Sequence, residues 1–317
     1  MKPRPDLLQR FLLHPAELDP CPPDWQAVFG RQAPLAVEIG FGGGEYMAWQ
    51  AGRKLDTDFV GIELPPDCIV HGVPHLAEAA LSNVRLIQGD ARYLLRELFA
   101  PQSLSHVLMQ FPMPWPKEKH AKHRVYSPHF AATLADVLAP DGCFELVTDQ
   151  DWYANETAAI LGADGRFETS AVEVNPERPF KTRYETKWLE EGRSIYRVTA
   201  KVVRFELAPR IFTDQPMDIF RLNSVPESDT AQALAGQKHR SDEFILEIKD
   251  VYQSASGWLI GVVVSDDAFA QRFHLEVVAK RDGRVLLKIG QVPRPYFTKG
   301  VRASIELVGR LLSGEPT

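Results

Sequence analysis

The sequence predicts an α/β chain, a Rossmann-like domain with a mostly parallel sheet, followed by a small α+β domain. Three observations carry this. Short apolar runs alternate with helix-compatible segments between residues 36 and 160, and that alternation builds a parallel sheet with helices on both faces. The first run, Ala36–Ile39, ends in Gly40-Phe41-Gly42-Gly43-Gly44 ahead of the helix-compatible Glu45–Ala51, the strand, glycine turn and helix that open a nucleotide-binding sheet. Near Pro209 the pattern changes to strands arranged around a tight Arg281-Asp282-Gly283-Arg284 turn, which is the signature of a hairpin.

In chain order, residues 1–33 are proline-rich, with short helical candidates at Asp6–Leu13 and Asp24–Gly30 that would cover a sheet edge. Asp58–Leu64 is the second strand, followed by a helix through Ala77–Leu81 and a third strand at Val84–Gln88. Gly89-Asp90 precedes a helix from Ala91 to Phe99, and Ser105–Gln110 is the fourth strand. A helix at Pro128–Leu138 turns through Asp141-Gly142 into strand Cys143–Thr148, and Asp149 begins a helix to Ile160. Phe167–Val174 and Ile195–Phe205 read as an antiparallel pair on the sheet edge. The expected organisation is a catalytic domain over residues 1–205, a polar linker over 206–243 and an α+β appendage over 244–317. In the appendage, Phe244–Tyr252, Trp258–Ser265, Phe273–Lys280 and Val285–Ile289 read as strands, and Arg302–Leu312 as an amphipathic helix.

Composition narrows the class. A chain of 317 residues, 44% apolar and 25% charged, is ordinary for a globular protein with room for two domains. It has no run of about 18 apolar residues that would span a membrane. The first residues, Met1-Lys2-Pro3-Arg4-Pro5-Asp6, lack the apolar core of a secretory signal. Cys21, Cys68 and Cys143 are scattered, form no disulfide or zinc pattern and suit a reducing cytoplasm. The net charge of −6 runs against the basic excess usual for nucleic-acid binders, so any RNA contact needs a local basic face.

The glycine run can be written Glu38-x-Gly40-x-Gly42-x-Gly44. Glycines let backbone approach a ligand closely. The third glycine of a dinucleotide fingerprint is missing, since Glu45 or Met47 stands there. A carboxylate two residues before the first glycine suits a cationic ligand better than a pyrophosphate. Glu63 closes the next strand, where ribose hydroxyls are held in this architecture, and Asp90 closes the third, placed to accept from an adenine amine. A ligand with a cationic tail, a ribose and an adenine is S-adenosyl-L-methionine. The plainer reading is a glycine turn flanked by solvated strand ends. Met113, Lys117 and the stretch to Arg124 follow the fourth strand in Phe111-Pro112-Met113-Pro114-Trp115-Pro116-Lys117. Three prolines stop both helix and sheet, so a stiff exposed loop is expected, with Trp115 stacking on a base or packing against the loop wall rather than deeply buried. Lys117, Lys119, Lys122 and Arg124 form one candidate phosphate contact, and Arg178, Lys181, Arg183, Lys187, Arg193 and Arg197 a second. His120, His123 and His129 lack a carboxylate or thiolate at ligand spacing, so no metal site is expected.

Together the Pro-Trp loop, Thr148-Asp149 and Thr182-Arg183-Tyr184-Glu185 resemble the bacterial tRNA (guanine-N7-)-methyltransferase (TrmB) family over roughly residues 25–200. The resemblance implies a class I methyltransferase fold and transfer of the S-adenosyl-L-methionine methyl to N7 of the variable-loop guanine of tRNA, position 46. It implies that Glu38, Gly40, Gly42, Gly44, Glu63, Asp90 and Met113 hold the cofactor. It also implies that Lys117, Asp149, Thr182, Arg183, Tyr184 and Glu185 meet the guanosine or its phosphate, with Met113, Lys117 and Asp149 at the reacting centre. The family's loop reads Phe-Pro-Asp-Pro-Trp, and here the Asp position is Met113. Methionine accepts no strong hydrogen bond. Guanine N7 has a free lone pair and no proton to lose, so alignment rather than a general base carries the reaction. An active enzyme is therefore expected, with a silent tRNA-binding relative or a methyltransferase on another RNA as the alternatives. Monomer and homodimer both remain open.

Overall fold

The computed structural model describes residues 4–18, 20–117, 124, 127–213, 219–255 and 257–315. The chain divides into two compact units, Met1–Pro15 with Pro22–Pro209, and Ala16–Cys21 with Arg210–Thr317.

The first unit runs α1 (Pro5–Phe11), β1 (Leu12–Leu13), α2 (Trp25–Phe29), β2 (Leu35–Ile39), α3 (Glu45–Arg53), β3 (Asp58–Glu63) and α4 (Pro66–Glu78). It continues with β4 (Val84–Gln88), α5 (Ala91–Leu98), β5 (Leu104–Gln110), α6 (Pro128–Val137), β6 (Leu138–Thr148) and α7 (Asp151–Ala163). It closes with β7 (Phe167–Thr169), β8 (Glu173–Val174), α8 (Arg183–Glu190) and β9 (Tyr196–Val202). The strands pair in the order β1-β4-β3-β2-β5-β6-β9-β7, with β8 also on β9. The pairs from β1 to β6 are parallel, and β9 enters antiparallel to β6. This is the mostly parallel sheet expected from the alternation of strand and helix.

Strand β2 is buried along its whole length, as befits a parallel strand covered on both faces. It is also the switch point. The chain leaves β2 toward β3 on one side, and β5 is its neighbour on the other. Ligands in open α/β sheets sit in the crevice outside the carboxyl ends of such strands. One aromatic ring shapes that crevice. Phe41 is 5% exposed and packs with Met47, Phe59, Ile69, Leu76 and Leu86. Gly61 makes room for it, since a Cβ there would lie 2.6 Å from Phe41 Cδ1 and 2.9 Å from Leu86 Cδ2.

Several boundaries differ from the sequence reading. Leu12–Leu13 pairs with β4 rather than ending a helix. The helix expected at Ala77–Leu81 runs earlier, from Pro66, where a proline at the first positions is pre-set for helical φ. Phe167–Val174 is broken into β7 and β8, both on β9. Helix α8 is an element the sequence reading lacks: eight mostly polar residues, Arg183–Glu190, are too few to establish a period, although Tyr184 and Trp188 stand one turn apart on it. Asp149 lies after the end of β6, before α7 rather than in it.

The second unit holds β10 (Phe220–Leu222), α9 (Ser228–Gln232), β11 (Lys238–Arg240), β12 (Phe244–Ser254), β13 (Gly257–Asp266), β14 (Phe269–Ala279), β15 (Val285–Ile289) and α10 (Lys299–Ser313). Its antiparallel sheet has the order β10-β15-β14-β13-β12-β11. Phe273, Leu275 and Val277 alternate inward and meet Val301, Ile305, Val308 and Leu312 on one stripe of α10. The linker expected over 206–243 therefore needs correction, because it contributes β10, α9 and β11. β10 and β11 are the two edges of the sheet, and the polar look of the stretch at β11 follows from that place. Short, charged edge strands such as Lys238-His239-Arg240 protect a sheet against further pairing.

Candidate active site

At the carboxyl end of β2 the chain turns through the glycine run. Gly40, Gly42 and Gly44 adopt φ of 70°, 54° and 73°, values that strain any residue with a Cβ. A Cβ at Gly40, Gly42 or Gly43 would meet nothing within 4 Å, so the loop borders open space on its ligand side. Gly44 faces inward instead, and its Cβ would stand 3.1 Å from Gly72 Cα in α4. The Gly42 amide donates to Glu63 Oε2 at 2.9 Å, and the Leu64 amide donates to Glu63 Oε1 at 2.9 Å. Glu63 thus closes β3 by gripping the glycine loop. Burial pushes its carboxyl above the usual range.

Glu38 is 2% exposed. Gln50 Nε2 of α3 donates to its Oε2 at 3.0 Å, and Gln110 Nε2 from the end of β5 donates to its Oε1 at 3.1 Å. The pairing of β2 with β5 sets Glu38 opposite Leu108, so Gln110, two residues on, lies on the same face of the sheet. Burial raises the Glu38 carboxyl to about 7, against the lowering effect of the two amides and of Arg178.

The network continues. Arg178 Nη2 donates to Gln110 Oε1, and Arg178 Nη1 donates to Glu185 Oε2 at 2.6 Å. Both Arg178 and Glu185 are buried. The guanidinium lies 5.4 Å from the Tyr46 ring and 5.8 Å from the Phe111 ring. Thr182 caps α8 by accepting the Glu185 amide at 3.2 Å, and the Arg183 amide donates to Glu45 Oε2 at 3.2 Å. The Thr182–Glu185 segment is therefore tied to the start of α3 and, through Arg178, to the carboxylate at the end of β2.

The Pro-Trp loop follows β5. Phe111 and Trp115 both take φ of 47°, an uncommon state for residues with a Cβ that marks functional loops. The Phe111 ring meets Trp188 of α8 edge-on at 4.8 Å. Arg124 Nε donates to the Trp115 carbonyl at 3.2 Å and stacks 4.9 Å over Trp152. Trp115 is half-buried, Lys117 is exposed and Met113 is 68% exposed. Lys119, Lys122, His120 and His123 lie outside the described residues.

Of the other expected site residues, Asp90 caps α5 and accepts from Arg92 Nη2 at 2.6 Å and from the Arg92 amide at 3.0 Å. It is an engaged carboxylate with lone pairs remaining, rather than an open one. Asp149 sits beside Arg193 at 3.1 Å. The second basic cluster is not a single basic face. Arg178, Lys187, Arg193 and Arg197 each face a carboxylate, while Lys181, Arg183 and Tyr184 are exposed. Glu185, expected at the substrate, is instead inside the fold. Gln110 was not singled out as a site residue, although a polar side chain closing an apolar strand was the available signal.

The crevice thus offers open backbone, a buried carboxylate and a second carboxylate one strand away. That donor set fits S-adenosyl-L-methionine: Glu38 toward a cationic end and Glu63 toward hydroxyls. Among the described residues, no helix is long and apolar enough to cross a membrane. A family profile described as "Putative methyltransferase" matches residues 32–198. Among curated proteins, a tRNA (guanine-N(7)-)-methyltransferase of Thermotoga maritima is 32% identical over 98% of this chain and 99% of its own length. One from Thermus thermophilus is 29% identical over 95% of this chain and 96% of its own. The enzyme of Bordetella pertussis is 37% identical over 56% of this chain and 70% of its own. The first two matches extend through the second unit.

Proposed function

We propose, from the premise that this chain belongs to the tRNA (guanine-N(7)-)-methyltransferase family, that it transfers the methyl group of S-adenosyl-L-methionine to N7 of the variable-loop guanine of tRNA, position 46, in the cytoplasm. The observation that carries this is the buried carboxylate of Glu38 beside an open glycine loop, joined by hydrogen bonds to the Thr182–Glu185 segment. When bound, S-adenosyl-L-methionine supplies an electrophilic methyl on a sulfonium. The work of the protein is then to bind and align. Glu38 would face the cationic end of the cofactor, and Gly40, Gly42 and Gly44 would let the backbone approach it. Glu63, which holds the Gly42 amide, would accept from ribose hydroxyls. Asp90 would offer its remaining lone pairs to the adenine side.

On the acceptor side, the N7 lone pair would take the methyl as its bond to sulfur breaks, with S-adenosylhomocysteine as the leaving group, and no residue has to remove a proton. Positive charge passes to the guanine ring as the bond forms. Asp149, 11% exposed and already beside Arg193, is the carboxylate we assign to the guanine edge. Lys117 and Arg183 are exposed cations assigned to tRNA phosphates, and Tyr184 is an exposed ring for stacking. Thr182 acts by capping α8, and Glu185 by its contact with Arg178.

The test is transfer of labelled methyl to unmodified tRNA transcript, with the modified nucleoside mapped by mass. N7-methylguanosine in the variable loop is the expected product. Label on another base or RNA overturns the substrate, and no transfer with both ligands bound overturns the activity.

Met113 occupies the position where the family carries Asp. Because it is 68% exposed and the reaction needs no base, Met113→Asp is expected to transfer methyl at least as fast as the natural chain. A fall of more than about tenfold, some 1.4 kcal/mol of barrier, would assign the methionine a dedicated role.

A further inference from the structure

The geometry points to Arg178 as a positioning residue for the transfer, a single guanidinium that sets the cofactor-side carboxylate and the acceptor-side segment in one frame. This rests on the methyltransferase reading above. Four parts of the site meet at this side chain. Gln110 comes from the end of β5, Glu185 from α8, Tyr46 from α3 beside the glycine run, and Phe111 from the root of the Pro-Trp loop. A planar guanidinium presents separate nitrogens in a fixed fork, so it can hold an amide on one arm and a carboxylate on the other. An ammonium is a point charge and cannot do both from one place.

Stability alone gives little reason for such a group. Buried ion pairs seldom outperform well-packed apolar side chains of the same volume, because both charges lose their water. Here the desolvation is close to complete, with side-chain exposures of 4% for Arg178 and 2% for Glu185. What the pair does supply is geometry. Through Gln110 it dictates which amide atoms face Glu38: the Gln110 oxygen is taken by Arg178, so its nitrogen must point at the carboxylate. Through Glu185 it holds the first turn of α8, whose cap is Thr182 and whose Arg183 amide returns to Glu45.

The charges add a second consequence. One guanidinium serves two buried carboxylates, Glu185 directly and Glu38 through Gln110. With Glu38 ionised, that guanidinium faces two negative charges, and the cationic tail of a cofactor would balance the second. Bound there, the tail would hold Gln110, Arg178 and α8 in this one arrangement. Cofactor and tRNA should therefore tighten each other's binding, and linkage requires the effect to be reciprocal.

The experiment uses the full chain and the variants Gln110→Met, Arg178→Lys and Arg178→Met. Affinity for S-adenosylhomocysteine is measured by calorimetry with and without unmodified tRNA transcript. Single-turnover methyl transfer is followed at saturating ligands, and thermal midpoints are recorded. In the natural chain tRNA is expected to tighten the cofactor product by about 5-fold or more. Gln110→Met leaves the Arg178–Glu185 pair in place but takes one partner each from Glu38 and Arg178, so its midpoint should fall, though by less than that of Arg178→Met. Its coupling should fall to none and its transfer rate by about 100-fold, the usual effect of a small misplacement. Arg178→Lys keeps the charge but not the fork, and should recover less than a tenth of the rate. Arg178→Met should lose rate, coupling and stability together. Variants that lose only thermal stability while keeping the natural rate and coupling would make Arg178 merely structural and overturn the inference. Absence of coupling in a natural chain that does methylate tRNA overturns it as well. A natural chain that transfers no methyl to tRNA sinks the functional reading instead.

Discussion

Replacing Glu38 by Gln is expected to weaken cofactor binding about 100-fold, some 2.7 kcal/mol, within the range measured when one partner of a buried charge pair is truncated. The same substitution should make the empty protein more stable at alkaline pH. The reason is the environment of the carboxylate. Glu38 is 2% exposed. It faces Gln50 from α3 and Gln110 from β5, with Arg178 behind Gln110 and the like charge of Glu63 on β3. Burial, with a smaller push from Glu63, outweighs the two amides and Arg178 and lifts the carboxyl to about 7. A folded-state value above the unfolded one means that the native protein holds the proton more tightly. This contribution to stability is present below the ordinary carboxylate value and is lost as pH rises through 7. A neutral Gln avoids that loss, and a flip of the Gln50 amide gives it an acceptor as well as a donor. At pH 8 the gain is on the order of 3 kcal/mol.

Cofactor affinity carries the complementary sign. The cationic end of the ligand needs ionised Glu38. Affinity should rise about tenfold per pH unit up to about pH 7 and then level off. Calorimetry between pH 5.5 and 8.5 would show the slope together with release of a proton at the acid end. Glu38→Gln should flatten both. A natural chain whose affinity ignores pH would mean that Glu38 does not face the cation.

Truncation of Phe41 should produce the largest loss of stability. The ring is 5% exposed and packs in the cluster with Met47, Phe59, Ile69 and Leu86. Gly61 lacks the Cβ that would collide with it, and Gly72 yields to it from the other side, where a Cβ would lie 3.1 Å from Phe41 Cε2. Two positions without side chains thus form the seat of one ring. Neither can fill the space when the ring is removed, so Phe41→Ala should cost about 3–5 kcal/mol. Chemical denaturation would show this as a lower midpoint with an unchanged slope. Because Phe41 stands between Gly40 and Gly42, the cofactor loop loses its anchor as well. Cofactor affinity should fall even where the variant is folded. A variant with unaltered cofactor affinity would separate the loop from the core and contradict this account.

Much of the site was legible in one dimension because strand ends are where α/β sheets bind ligands. Glu38, the glycine run, Glu63 and Asp90 follow successive apolar strands, and local pattern suffices to place them there. Family resemblance added Asp149 and Thr182–Glu185, which no periodicity would have connected to the glycine run some 140 residues earlier. The edge strand β11 reads as a linker because an edge strand is polar for the same reason that a linker is, and β10, three residues long, is too short to show a period.

What the chain determined by itself, then, was the alternation of strand and helix, the position of the glycine turn and the types of group at each strand end. These are consequences of period, backbone freedom and side-chain chemistry within a few residues. Tertiary structure decided the pairings. It turned Arg178 and Glu185 from surface candidates into a buried pair and linked them through Gln110 to Glu38. Those outcomes depend on which strands lie side by side and which faces the crossings bury. A buried charge is held wherever the fold brings it a partner, and distance along the chain does not report that.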